Sequence, residues 1–128
     1  MSVPGRRFVA VLVKHRWRDY RTRAGRRPVK EFIDSLSDED AAEVAAAMAD
    51  VRDEGLAVAR HLRGEIYEVR ADCEDVTVRV LFAQEGRKGR VLLALEAFVK
   101  KMKKMFDHLL RLAERRLSYW RARGRRDA

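Results

Sequence analysis

The apolar positions of this chain follow two different periods. Phe8-Val9-Ala10-Val11-Leu12-Val13 is a continuous run of strand composition, and Arg16-Trp17-Arg18-Asp19-Tyr20-Arg21 mixes aromatic and charged residues. These are either one long, bent strand or two. Gly25-Arg26-Arg27-Pro28 is turn material, and Pro28 is placed to open a helix. Val29, Phe32, Ile33 and Leu36 then recur at helical spacing and predict a short first helix. Ser37 supplies an N-cap, and Asp38-Glu39-Asp40 an acidic first turn suited to the positive end of a helix dipole. The alanine-rich run to Glu54 has high helix propensity, with an apolar stripe of Ala41, Val44, Ala45, Met48 and Val51. Gly55 is its expected stop. The two helices form a helical hairpin.

Beyond this hairpin the period shortens to two. Ile66 to Arg70, Val76 to Phe82 and Val91 to Phe98 predict three strands, and the hairpin-length connections at 71–75 and 84–89 make them an antiparallel meander. From about Met105 to Arg121 the helical period returns, with Phe106, Leu109, Leu110, Ala113, Leu117 and Trp120 on one face and basic residues on the other. Residues 122–128 are expected to be a frayed basic tail. With no repeat and no linker, residues 1–128 read as a single α+β domain with one core.

Strand alternation also sorts the charges. In the second strand Val76, Val78, Val80 and Phe82 face one way, and Thr77, Arg79, Leu81 and Ala83 the other. One consistent solution packs the helices on the side of Tyr67, Val78 and Leu93. Arg70, Arg79, Glu68 and Glu96 then share an open face. Arg79 in a valine-rich strand is either a surface or ion-paired arginine or part of a cluster that meets phosphate. Arginine forks match phosphate geometry, and lysines add point charge.

Charge sharpens this picture. The 128 residues hold 29 Lys plus Arg against 20 Asp plus Glu, a net charge of +9. The sequence pI is about 10.3. The excess points to a nucleic acid, an anionic membrane or an acidic protein without choosing among them. Lys100, Lys101, Lys103 and Lys104 fall within five positions, directly after the third strand. Alone they would read as a solubilising loop. Beside two arginine-bearing strands they suggest a site for a polyanion.

Other chemistry is sparse. Cys73 is the single cysteine, so no intramolecular disulfide can form, and the chain suits a reducing cytosol. His15, His61 and His108 share no metal-ligand spacing with one another or with Cys73. No metal or cofactor is expected. No apolar run reaches the roughly 20 residues that span a bilayer, and Phe8 to Val13 lacks the length and cleavage site of a signal peptide.

Several segments in order then resemble a known family. They are Gly25 to Leu36, Ile66-Tyr67-Glu68-Val69-Arg70, Val78-Arg79-Val80-Leu81-Phe82 and Phe98-Val99-Lys100-Lys101, with Ala113 and Tyr119 in the closing helix. From about Trp17 to Trp120 the chain resembles the RelE/ParE superfamily of toxins from bacterial type II toxin–antitoxin pairs, most closely its HigB-like, phage-borne branch. Residues 1–15 stand outside the match as an extension or extra strand.

The resemblance implies a small RelE-like fold: an N-terminal strand, a helical hairpin, the three-stranded meander and a C-terminal helix. It implies a cytoplasmic mRNA endonuclease that works in the ribosomal A site without a metal, and a helix-turn-helix antitoxin as partner. In such toxins the RNA 2′-OH attacks the adjacent phosphate, giving a cyclic phosphate and a free 5′-OH. By position Arg70, Arg79, Lys100 and Lys101 match the family's catalytic basic site. Lys103 and Lys104 extend it toward RNA, and Glu68 and Glu96 are candidates for proton transfer. The chain also departs from the pattern. HigB-like relatives often carry histidine where Glu96 stands, and Thr-Gln-Lys-Thr-Pro where this chain has Met102-Lys103-Lys104-Met105-Phe106. Met-Phe cannot cap a helix, so the last helix starts earlier or the apolar pair packs elsewhere. Two other readings stay open. One is a ParE-like gyrase inhibitor without nuclease activity. The other is a catalytically degenerate relative that binds antitoxin or RNA.

Overall fold

In a computed structural model of the chain, residues 15–99 and 103–127 are described, the last three without their side chains. The expected strand at Phe8–Val13, and Lys100, Lys101 and Met102, lie outside these residues. The elements are β1 (Arg16–Asp19), α1 (Pro28–Asp34), α2 (Asp38–Glu54), β2 (Arg60–Arg63), β3 (Ile66–Asp72), β4 (Thr77–Glu85), β5 (Val91–Val99) and α3 (Lys103–Asp127).

The local signals act as the sequence suggests. Pro28 stands in the first turn of α1. The Ser37 side chain accepts a hydrogen bond from the Asp40 amide at 3.1 Å, which caps α2. At its other end Gly55 adopts φ 78°, a conformation that strains any side-chain-bearing residue. The buried stripe of α2 is centred on Val44 and Val51, with Ala47 and Met48 packed beside it, whereas Ala45 faces solvent.

The strands form one sheet in the order β1-β5-β4-β3-β2. The meander therefore has four antiparallel strands rather than three, because β2 pairs with β3 at the edge. β1 pairs in parallel with β5, Trp17 opposite Leu92, so the first and last of the described strands lie side by side.

Helices cover both faces of this sheet, which corrects the expectation of an open one. α1 and α2 pack on Val69, Val78, Val80, Phe82, Leu92 and Ala94. α3 packs the other face through Leu110, Ala113 and Leu117, against Ile66, Leu81, Leu93, Leu95 and Phe98. Leu93 thus sits under α3 and not beside Val78. Strict alternation also fails further along β5. Leu81 pairs with Glu96, but Phe82 pairs with Ala94, so Leu95 is an extra residue in a β-bulge. The bulge turns both Leu95 and Glu96 toward α3, and restores Ala97 to the opposite core.

α3 begins at Lys103, two residues before the expected start, and runs to Asp127, so the helix extends over residues 122–127. Met105 and Phe106 pack into the α3-side core, where the Phe106 ring lies 6.1 Å from that of Phe98. This apolar pair thus folds the start of α3 back over the end of β5.

Candidate anion-binding face

The two arginines singled out from the sequence are direct neighbours. Arg70 on β3 is the cross-strand partner of Arg79 on β4, and Arg79 in turn pairs with Phe98 on β5. One row, Arg70–Arg79–Phe98, crosses three strands at the end of the sheet where β5 runs toward α3. Like charges directly opposite one another destabilise a sheet unless something offsets them.

The offset comes from inside. Arg79 Nη1 donates to Glu68 Oε2 at 3.0 Å, and the Glu68 side chain is 0 % exposed while that of Arg79 is 12 % exposed. The pair is incompletely satisfied, since Glu68 Oε1 and Arg79 Nε are buried without a hydrogen-bond partner. Burial of this kind identifies Glu68 as an ion-pair partner, with no open route from its carboxylate to a substrate in this conformation.

Glu96 is engaged as well. Arg116 on α3 approaches Glu96 Oε1 at 3.3 Å and donates from Nη1 to the Leu95 carbonyl at 2.7 Å, while the Glu96 carboxylate accepts from the Ala97 amide at 3.1 Å. The β5 bulge makes this possible, because it brings the Leu95 carbonyl and the Glu96 side chain within reach of one guanidinium.

Arg70 is different. It is exposed and has no carboxylate partner among the described residues. Lys103 and Lys104 are exposed in the first turn of α3. That turn holds no acidic residue, so the positive end of the helix dipole and the lysine charges add there, with Asp107 one turn further on. Of the six basic residues read from sequence, the structure places Arg70 and Arg79 in one row and Lys103 and Lys104 at the start of the helix covering its β5 end. Lys100 and Lys101 lie outside the described residues.

Two arginines of α3, Arg116 and Arg121, fasten the helix to the sheet. Arg121 bonds both Glu65, at 2.7 and 2.8 Å, and Glu85, at 2.6 and 3.0 Å. Arg63 donates to Glu114 at 2.7 Å. Hydrogen bonds from Arg121 and Arg63 hold the Glu65 and Glu114 carboxyls below the usual carboxylate range. A carboxyl whose pKa is lowered on folding stabilises the fold above its unfolded pKa, and this stabilisation disappears as pH falls through the folded value. Urea midpoints are therefore expected to fall as pH drops below about 4. Arg121→Gln should make that fall shallower. An identical acid profile in the variant would show that the contacts do not contribute.

Cys73 is half-buried and burial pushes its thiol up, away from nucleophilic character. Among the described residues no group of three or more His, Cys, Asp or Glu side chains could hold a metal ion. No helix among them is long and apolar enough to cross a membrane.

A five-stranded sheet with a helical hairpin on one face and a long helix on the other, carrying cations where β5 meets that helix, is a small basic α+β fold of the RelE-like kind. Residues 31–118 match the phage-derived protein Gp49-like family, and the chain belongs to it. This is a type II toxin family related to RelE and HigB. No individual curated protein matches the sequence.

Proposed function

We propose that the chain is the toxin of a type II toxin–antitoxin pair and acts in the cytoplasm as a ribosome-dependent mRNA endonuclease that needs no metal. Its partner would be a helix-turn-helix antitoxin. The observation that carries this reading is the open, uncompensated Arg70 in a row with Arg79, close to a helix start that presents Lys103 and Lys104. Cations so placed suit the charge that develops on phosphate when a 2′-OH attacks it. The bond formed is from O2′ to phosphorus and the bond broken is from phosphorus to O5′, leaving a cyclic phosphate and a 5′-OH. Arg70 would donate to the non-bridging oxygens, and Lys100, Lys101, Lys103 and Lys104 would hold the flanking backbone.

Induction of the chain in bacteria should arrest growth and produce in-frame mRNA cuts that depend on translation. Mapping RNA 5′ ends checks this. Normal growth at confirmed soluble expression, or equal cutting of untranslated RNA, would count against it.

One observation favours a second reading. The sheet-face carboxylates Glu68 and Glu96 are both engaged by arginines, which leaves neither as an open proton acceptor. That suits a member that binds antitoxin or RNA without cutting. Growth arrest without cyclic-phosphate ends would select this reading, and trapped gyrase–DNA complexes would select a ParE-like inhibitor.

A further inference from the structure

A second concentration of arginine lies at the far end of α3. β1, the loop after it and the last turns of α3 enclose a cleft of about 640 Å³, lined by Trp17, Arg18, Arg21, Arg27, Trp120 and Arg123. That volume falls within the roughly 300–1,000 Å³ of ligand-binding pockets. The helix rises about 1.5 Å per residue, so Lys104 and Trp120 stand roughly 25 Å apart along its axis, and the cleft is separate from the Arg70 row.

Its charges are unequal. Arg27 is neutralised by Asp19, donating from Nε at 2.9 Å and from Nη2 at 2.5 Å. Arg18, Arg21 and Arg123 have no carboxylate partner among the described residues. Two of these three are held by stacking. The Arg18 guanidinium lies 4.9 Å from the centre of the Trp120 ring, and that of Arg123 lies 5.1 Å from the ring of Tyr20. A guanidinium stacked on a ring keeps its N–H edge free and loses less side-chain freedom when that edge meets a ligand. The site is thus partly organised before anything binds.

We propose that this cleft binds the sugar–phosphate backbone of single-stranded RNA, as a docking site distinct from the Arg70 row. Fixed guanidinium forks beside aromatic rings suit phosphates with a base between them. An acidic peptide is favoured less, because it would need apolar pockets for anchoring side chains. The two indoles supply little of that: Trp17 packs edge-on against Phe82 at 5.0 Å, and Trp120 lies under Arg18. The inference rests on the reading of the chain as an RNA-directed protein for its choice of ligand, and is independent of whether RNA is cut.

The test is fluorescence anisotropy of a short labelled oligouridine with the full chain, across a salt series. Each phosphate contact contributes about 0.7 to the log–log salt slope for a single strand. Arg21→Gln combined with Arg123→Gln should flatten the slope by roughly 1.4, and should do so equally in an Arg70→Gln background. A second variant guards against loss of folding. A side chain built at Gly124, on the cleft wall, meets no atom within 4 Å, and both Glu and Gln are better helix formers than Gly. Gly124→Glu should weaken oligouridine binding, and Gly124→Gln should not. An unchanged slope in the arginine pair, or equal binding by the two Gly124 variants, overturns the proposal. So does a polyglutamate peptide whose binding needs Arg21 and Arg123 when that of oligouridine does not, which would assign the cleft to an acidic protein. Because the probe is bare RNA and cleavage is not read, failure of the toxin reading would appear in growth and not here.

Discussion

Arg79→Ala is expected to lower the unfolding free energy by about 3–5 kcal/mol, the cost of leaving a buried charge without its partner. The loss would fall on Glu68, whose side chain has no exposure and whose one contacting cation among the described residues is Arg79 at 3.0 Å. Domains of this kind are stable by only about 5–15 kcal/mol, so the variant should melt many degrees lower and recover poorly as soluble protein. The partner experiment separates charge from packing. Arg79→Met together with Glu68→Leu should regain most of the stability, since apolar residues of similar volume often replace a buried ion pair without loss. Urea denaturation of both variants checks this. An Arg79→Ala protein that unfolds at the wild-type midpoint would mean that water reaches Glu68 and that the pair is not structural.

Arg70→Ala should behave in the opposite way. Arg70 is exposed and bonds no carboxylate among the described residues, so the urea midpoint should stay close to wild type. If the chain cuts mRNA as proposed, the cleavage rate should drop about 100-fold or more, the effect of removing one donor from a developing oxyanion. Cleavage kinetics on translating ribosomes would show it. Full activity in a folded Arg70→Ala protein would remove this residue from the chemistry. The two arginines have the same type and lie opposite each other in the sheet, yet one variant should lose stability and the other activity.

The difference between them was only partly legible in the sequence. Period-two alternation placed Arg70, Arg79, Glu68 and Glu96 on one face, and that grouping holds. What alternation cannot say is which face a distant helix will cover. The apolar stripe of α3 identified the helix, but it docks on Leu93, which simple alternation grouped with Tyr67 and Val78, and on Leu95. The bulge at Leu95 is a one-residue slip with no Gly or Pro to mark it, so a strand of Leu, Ala and Val conceals it. β2 was missed for a different reason. Arg60-His61-Leu62-Arg63 is an exposed edge strand with one packed apolar residue, so it shows no alternation to read. Gly64, at φ 54° in the tight turn into β3, was the available signal. The capped ends of α1 and α2 were readable because Pro28, Ser37 and Gly55 act on their own neighbours. The Arg18–Trp120 cleft was not, because its walls come from opposite ends of the chain.

The pairing of β1 with β5 has a consequence for the order of folding. Hairpins β2–β3 and β3–β4 join neighbours and close small loops, whereas Arg16 meets Val91 only after nearly the whole sheet is in place. Loop-closure entropy grows with the length of chain enclosed, which puts β1 last among the strands to dock. During synthesis β1 leaves the ribosome before the other described strands, and its described partner, residues 91–94, follows much later. A chain still tethered at that point has neither its fifth strand nor its long helix in place. If this protein does attack translation, its own topology delays the finished surface until β5 and α3 have both been made.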